Sequence, residues 1–339
     1  MEKINIYKRK LSKTNEVEIS QDFIVPDSKQ DIFQILDGNF YCYFSKIEIS
    51  SGRIHSSGNV DSYISYVSSS EETVGLQTTF NFEDVLENNV ITEHMNLEYN
   101  IEVSKQEIRI INERKISISA TLKISYEVFG FDEIEICNDF NDIEDVQINS
   151  SKIRLNSLIG VNSNNASLKE EMKMESSDIV SDILKVDTTI LNKEVKISYN
   201  KILTKADLWV KLLYVTKDGR IGKCDEKFPI MSFIDLENVK EENVCSIDYQ
   251  IRNILLKVNN GEENSITIQM EYEIFCKAFE SKEQEVVSDL YSLKYDTEFN
   301  VKEIEIMNGL STEDGKKVDI DEKIEVRKCK KSARCFWKE

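Results

Sequence analysis

The sequence predicts an all-β chain of tandem homologous domains, sandwich- or barrel-like, with short helices and a partial third β element. Three observations carry this: period-two alternation, an internal repeat, and turn pairs between the alternating runs. Alternation is plain in Lys46-Ile47-Glu48-Ile49, from Lys115 to Ile124, and from Ser265 to Tyr272. β-Branched residues at every second position suit strands buried on one face. The repeat runs without a gap from residues 32–80 to 180–228, an offset of 148 residues (180 − 32). Ile32, Ile35 and Leu36 fall on Val180, Ile183 and Leu184; Val60, Ile64, Tyr66 and Val67 fall on Leu208, Leu212, Tyr214 and Val215. Phe80 and Phe82 fall on Phe228 and Ile230. Apolar positions recur while the polar ones drift, so what repeats is a packing pattern. Asp218-Gly219 and Asn260-Gly261 supply the positive φ that tight hairpin turns require.

The first domain is expected over residues 1–148. Near its start Pro26 introduces a turn, and Asp31-Ile32-Phe33-Gln34-Ile35-Leu36 spaces apolar residues as a helical turn does. The same spacing returns from Asp178 to Leu184, and in each case the aspartate is a candidate cap. Farther on the match shifts slightly. Tyr99 and Ile101 pair with Tyr249 and Ile251, and Ala120, Leu122, Ile124, Tyr126 and Val128 with Ile266, Ile268, Met270, Tyr272 and Ile274. Residues 149–176 are read as a linker or loop, because Asn156-Ser157 and Asn162-Ser163-Asn164-Asn165 are polar. The second domain follows over 177–292. Residues 293–326 form a partial third β unit, in which Lys294, Asp296, Glu303, Ile304 and Ile306 echo Lys185, Asp187, Glu194, Val195 and Ile197. A basic, Cys-containing tail occupies 327–339.

Composition narrows the function. With 339 residues, 40% of them hydrophobic, and 15 Phe, the chain can bury more than one core. The net charge of −19, from 62 acidic and 43 basic residues, opposes nucleic-acid binding, which depends on neutralising phosphates. The seven cysteines are scattered singly at 42, 137, 224, 245, 276, 329 and 335, unlike a secreted disulfide framework. The charged N-terminal residues do not resemble a signal peptide, and no run approaches the ~18 apolar residues that span a bilayer. Synthesis in the cytosol, without membrane insertion, is the expectation.

No catalytic, cofactor or metal site is expected. His55 and His94 stand far apart and read as surface or loop residues, with no HExxH or CxxC spacing nearby. Gly309 to Gly315-Lys316-Lys317 has five residues between the glycines where a phosphate loop has four, and reads as a turn. Asp132, Glu133 and Glu135, with Asp139, Asp142, Glu144 and Asp145, lack a calcium loop's glycine and ligand spacing. Solvated strand ends, or weak calcium binding, account for them. Tyr63, Tyr66, Tyr199, Trp209 and Tyr214 are read as core packing over a sugar-stacking surface. Cys42, Cys245 and Cys276 lie among apolar residues as small core hydrophobes. Cys329 and Cys335 differ, because neighbouring Lys and Arg favour the thiolate. Intermolecular cross-linking, a disulfide within the tail, and a weak metal site are the readings open to them. Trp337 either docks onto a neighbouring subunit or belongs to a frayed end.

Four strings extend the reading: Ile197-Ser198-Tyr199-Asn200-Lys201-Ile202-Leu203, Phe228 to Leu236, Tyr249-Gln250-Ile251-Arg252-Asn253-Ile254, and Ser288-Asp289-Leu290-Tyr291-Ser292. In this order they resemble the SPOCS-domain family of clostridial spore-coat proteins. The first domain fits the pattern through Val25-Pro26-Asp27, Asp31-Ile32, Ile35-Leu36 and Ile111-Asn112-Glu113-Arg114-Lys115. The resemblance covers roughly residues 20–300. It implies a non-enzymatic role in the spore envelope, coat or exosporium. The implied partners are copies of the chain itself and other coat or exosporium proteins. Some members carry a LysM domain after the SPOCS repeats. None is expected after residue 326 here, so its contacts are not carried over.

Overall fold

A computed structural model describes residues 2–136, 146–174, 179–260 and 264–293. No helix occurs among them. The first unit holds β1 (Glu2–Ile24), β2 (Ile32–Ser50), β3 (Arg53–Ser68), β4 (Thr73–Glu87), β5 (Asn96–Asn112) and β6 (Lys115–Ile136). The second holds β7 (Val146–Lys173), β8 (Val180–Ser198), β9 (Lys201–Thr216), β10 (Ile221–Asp235), β11 (Val244–Asn259) and β12 (Ser265–Ser292). All pairings are antiparallel, in four three-stranded sheets ordered β1-β6-β5, β2-β3-β4, β11-β12-β7 and β10-β9-β8.

Two sheets share each core. In the first unit Val60, Ile64 and Tyr66 of β3 join Ile116, Ile118, Leu122 and Tyr126 of β6 in one buried cluster. In the second, Leu208, Leu212 and Tyr214 of β9 join Ile266, Ile268, Met270 and Ile274 of β12. Alternation sends every second side chain inward, and each large apolar group so buried contributes about 1.5–3 kcal/mol. The chain is therefore all-β, two sandwiches in tandem. Among the described residues no sheet closes into a barrel.

The duplication extends to hydrogen-bond register. The bounds of β2, β3 and β4 recur in β8, β9 and β10 at the same offset, 148 (180 − 32). Ile35↔Tyr66 and Tyr66↔Val74 become Ile183↔Tyr214 and Tyr214↔Gly222. Gly52 and Asn200, equivalent turn residues, have φ of 79° and 56°; Glu71 and Gly219 have 63° and 80°. Gly52 N–H donates to Ile91 O at 2.8 Å, and Asn200 N–H to Val239 O at 2.9 Å. A bulge at Ser104 in β5 returns at Arg252 in β11, and one at Lys10 in β1 returns at Ile159 in β7.

Three expectations are corrected. The helical turns after Asp31 and Asp178 (the latter outside the described residues) are strand. Each copy carries two bulges in succession, at Phe33 and Leu36 in β2 and at Ser181 and Leu184 in β8. Every bulge inserts one residue, so inward positions such as Ile32 and Ile35 fall three apart and imitate helical spacing. The polar stretch 156–165, read as loop, lies inside β7. It is an edge strand, and its asparagines tie it to β10: Asn162 donates to Asp235 O at 2.6 Å and Asn164 to Phe233 O at 2.9 Å. The later repeat pairings had slipped. Register and bulges assign Tyr99 to Ile247 and Leu122 to Tyr272. A shift by an even number keeps the same strand face inward, so alternation alone does not detect it.

Candidate functional site

The second unit packs on the outer face of the β2-β3-β4 sheet. Along β3, alternate residues enter the first core, while Asp61, Tyr63 and Ser65 point the opposite way. They are nonetheless only 5%, 2% and 8% exposed, because β8 covers that face. Tyr63 belongs to the second unit's buried cluster and meets Tyr41 edge-on at 6.0 Å. Gly75 in β4 permits the close approach: a Cβ there would stand 2.8 Å from Asp182 Cβ and 2.8 Å from Ile183 O. Its N–H donates to Asp182 Oδ2 at 3.3 Å, and Lys29 pairs with the same carboxylate. Tyr41 donates to Asp187 Oδ1 at 3.1 Å.

A second contact is built around the β11 bulge. It directs Arg252 toward the first unit, where its guanidinium donates to Tyr99 Oη and, at 3.4 Å, to Phe44 O, while Glu273 of β12 also accepts from it. The cation also lies 5.2 Å from the Tyr99 ring centre. Tyr99 stands between Phe44 and Phe275, with ring centres at 5.1 and 5.8 Å. Lys277 pairs with Glu98 close by, and Gln250 donates to Tyr99 O at 3.0 Å. An open cleft of about 810 Å³ runs along this seam, bordered by Cys42, Tyr43, Tyr99, Lys193, Tyr249 and Arg252.

Burial governs the titratable groups here. It pushes the phenols of Tyr41, Tyr43, Tyr63 and Tyr99 above their ordinary range, with Asp187 adding to the effect at Tyr41 and Asp61 at Tyr43. Tyr66, whose hydroxyl donates to Gln30 O, is pushed up to about 12. Burial also raises the Cys42 thiol to about 12. At neutral pH these groups stay protonated, so Tyr41 and Tyr43 donate to Asp187 and Asp61, and the Cys42 thiol is a poor nucleophile. The arrangement can latch two β units together, and its chemistry is that of a contact.

The residues singled out from sequence fall into three groups. Cys276 is fully buried, Cys42 and Cys245 pack beside the cores, and Tyr66 and Tyr214 lie within them. A hydrogen bond to Cys245, and burial, push the Cys276 thiol up. His55 Nε2 on β3 lies 2.7 Å from Glu83 Oε1 on β4, and His94 is exposed beside Glu93. Trp209 is half-buried and Tyr199 exposed, a departure from the core reading for both. Cys329, Cys335, Trp337, Cys137 and the acidic residues 139–145 lie outside the described residues, as does the partial third unit beyond 293. Among the described residues no three His, Cys, Asp or Glu side chains gather to hold a metal ion. No helix long and apolar enough to cross a membrane occurs among them either.

Sequence reasoning missed the seam residues Arg252, Glu273, Lys29 and Asp182. A signal existed in the repeat. Asp61, Tyr63 and Ser65 are matched by Trp209, Lys211 and Leu213, so the two outer faces differ in chemistry where the inner faces agree. Residues 179–259 match the family model described as SipL, SPOCS domain, while no curated protein and no solved structure matches. The matched stretch begins one residue before β8 and ends with β11, within a unit whose registers and bulges the first unit repeats. On that match residues 179–259 are similar to a SPOCS domain.

Proposed function

We propose that this chain is a self-assembling structural protein of the bacterial spore envelope, coat or exosporium, made in the mother-cell cytoplasm and deposited on the spore surface. The SPOCS match over residues 179–259 carries the reading. The fold supports it through strands that outrun one of their partners. Among the described residues β12 pairs with β11 only as far as Phe279, yet continues to Ser292 against β7. β6 likewise runs beyond Phe129, where its pairing with β5 ends, to Ile136 against β1. Strand edges of this kind are where a neighbouring chain can add a strand of its own. On this reading the tail cysteines Cys329 and Cys335 cross-link the ordered contacts, Trp337 and the basic tail dock on an acidic neighbour, and other coat or exosporium proteins join the assembly. The role is architectural, with no enzymatic step.

The second reading is a morphogenetic adaptor that recruits coat proteins and never polymerises alone. The net charge of −19 favours it, since like-charged copies repel. Negative-stain electron microscopy of the purified full chain, over a range of concentrations with and without reductant, separates the two. Regular arrays or filaments are expected. Single compact particles at the highest concentration would decide for the adaptor.

A further inference from the structure

The contact between the two units joins different surfaces of equivalent repeats, so it leaves one copy of each surface unused. The second unit contributes its doubly bulged strand, with Asp182, Ile183 and Leu184 seated near Gly75. The first unit contributes the outer face of β2-β3-β4, centred on Tyr63. The counterparts of both remain open. The first unit's own double bulge exposes Phe33 by 71% and Leu36 by 50%, although Leu184, the counterpart of Leu36, is buried in the seam. Ile110 and Ile111 at the end of β5 are also exposed. They lie beside that bulge, since Ile32 N–H donates to Glu113 O at 2.8 Å and Gln106 to Gly38 O at 2.7 Å. On the second unit the outer face of β8-β9-β10 exposes Leu213, Ile221, Met231 and Phe233, with no described strand over them. Trp209 lies at its centre with Lys211 Nζ 3.6 Å and Lys227 Nζ 5.3 Å from its ring.

We propose that these two open surfaces bind one another between copies of the chain, the Phe33–Leu36 bulge of one seating on the β8-β9-β10 outer face of the next. The inference rests on the self-assembly reading above and names its contact. The seam within the chain shows which surface such a bulge covers. Both counterparts expose large apolar side chains among their polar ones, as an interface patch does. Charge agrees: Asp37 is exposed on the bulge, and Lys211, Lys223 and Lys227 stand on the receiving sheet. The two seams are not identical. Lys223 occupies the place of Gly75, so the incoming bulge sits farther out there than Asp182 does. A contact between unlike surfaces leaves each added copy with a free end and propagates as a filament or closes as a ring.

The test uses the full chain in reductant, which removes cysteines from the question. One variant carries Phe33→Asp with Leu36→Asp, the other Lys211→Glu with Ile221→Asp; all four side chains are solvent-exposed, and circular dichroism with thermal melting checks each fold. Should the aspartate pair on the bulge unfold the chain, Phe33→Ser alone replaces it. Sedimentation velocity is expected to show the wild type as oligomers or filaments and each variant alone as a monomer. An equimolar mixture should give a complex of two chains and nothing longer, because only one good bulge meets one good face. Either variant assembling like the wild type, or the mixture remaining monomeric, overturns the contact while leaving self-assembly standing. A monomeric wild type at high concentration overturns both.

Discussion

Single residues test the duplication directly, because equivalent turns are solved with different side chains. Glu71 and Gly219 share a positive φ, of 63° and 80°, at matched positions. An L side chain in that region costs about 1–2 kcal/mol, and a glycine returns part of that by loosening the unfolded chain. Glu71→Gly is therefore expected to stabilise by a few tenths up to about 1 kcal/mol, and Gly219→Ala to destabilise by about 1 kcal/mol. A Cβ at Gly219 meets nothing within 4 Å, so packing does not confuse the result. Shifts of the urea midpoint in opposite directions are the expected outcome; equal signs would mean the turns are not equivalent. Arg252 is a larger test. Its side chain and that of Glu273 are 19% and 12% exposed, and Arg252→Ala leaves the carboxylate buried without its cation. A loss of about 3 kcal/mol is expected. Adding Glu273→Gln should recover a good part of it in a thermal melt, and no recovery would place the cost in the lost packing on Tyr99.

At the scale of elements, the buried tyrosines of the first unit's two sheets set the alkaline limit of the fold. Tyr41, Tyr43, Tyr63, Tyr66, Tyr99 and Tyr126 all have phenols raised by burial. Unfolded tyrosines ionise near pH 10. Each raised phenol therefore holds its proton in the folded state after the unfolded chain has released it. Its contribution to stability is complete below about pH 10 and is lost as pH climbs toward the folded value. Urea unfolding should be flat to about pH 9 and then weaken by about 1.4 kcal/mol per pH unit for every tyrosine still protonated. Phenolate absorbance should rise in two stages, exposed tyrosines first; a single stage would mean that the seam opens before it titrates. The strands themselves were legible: alternation from Lys115 to Ile124 and the repeat at 32–80 each mark a real strand or meander. What alternation hides is any residue that breaks period two. The bulges at Phe33 and Leu36 therefore imitated a helix, and the bulge at Arg252 left no mark as a contact residue. Asparagines in β7 looked like loop because an edge strand can be polar wherever its side chains find carbonyls, as Asn162 and Asn164 do. Tyr63 and Lys211 hold matched positions, and only the stacking of the units decides that one is covered and the other open.

Across the whole molecule, order and permanence call for different residues. A net charge of −19 separates copies at long range, but the repulsion is screened beyond ~8 Å at physiological salt, so close surface contacts can prevail. Contacts of that kind are reversible, and in the assembly proposed above a covalent step would make them permanent. Three of the described cysteines suit that step poorly. Cys276 is fully buried, Cys42 is largely so with its thiol raised, and acidic Asp225 and Glu226 add to burial in raising Cys224. Cys329 and Cys335 sit instead among Lys328, Lys330, Lys331 and Arg334, which favour the reactive thiolate. Replacing both with Ser should leave the melting temperature and the form of the assemblies unchanged. Oxidised wild-type assemblies should then withstand denaturant until reductant is added, while those of the variant dissolve in denaturant alone. If the variant resisted equally, cross-linking through the tail would be ruled out and resistance would have to come from the β contacts themselves. Charge reversal on the β8-β9-β10 face would then abolish it, and removal of the tail thiols would not.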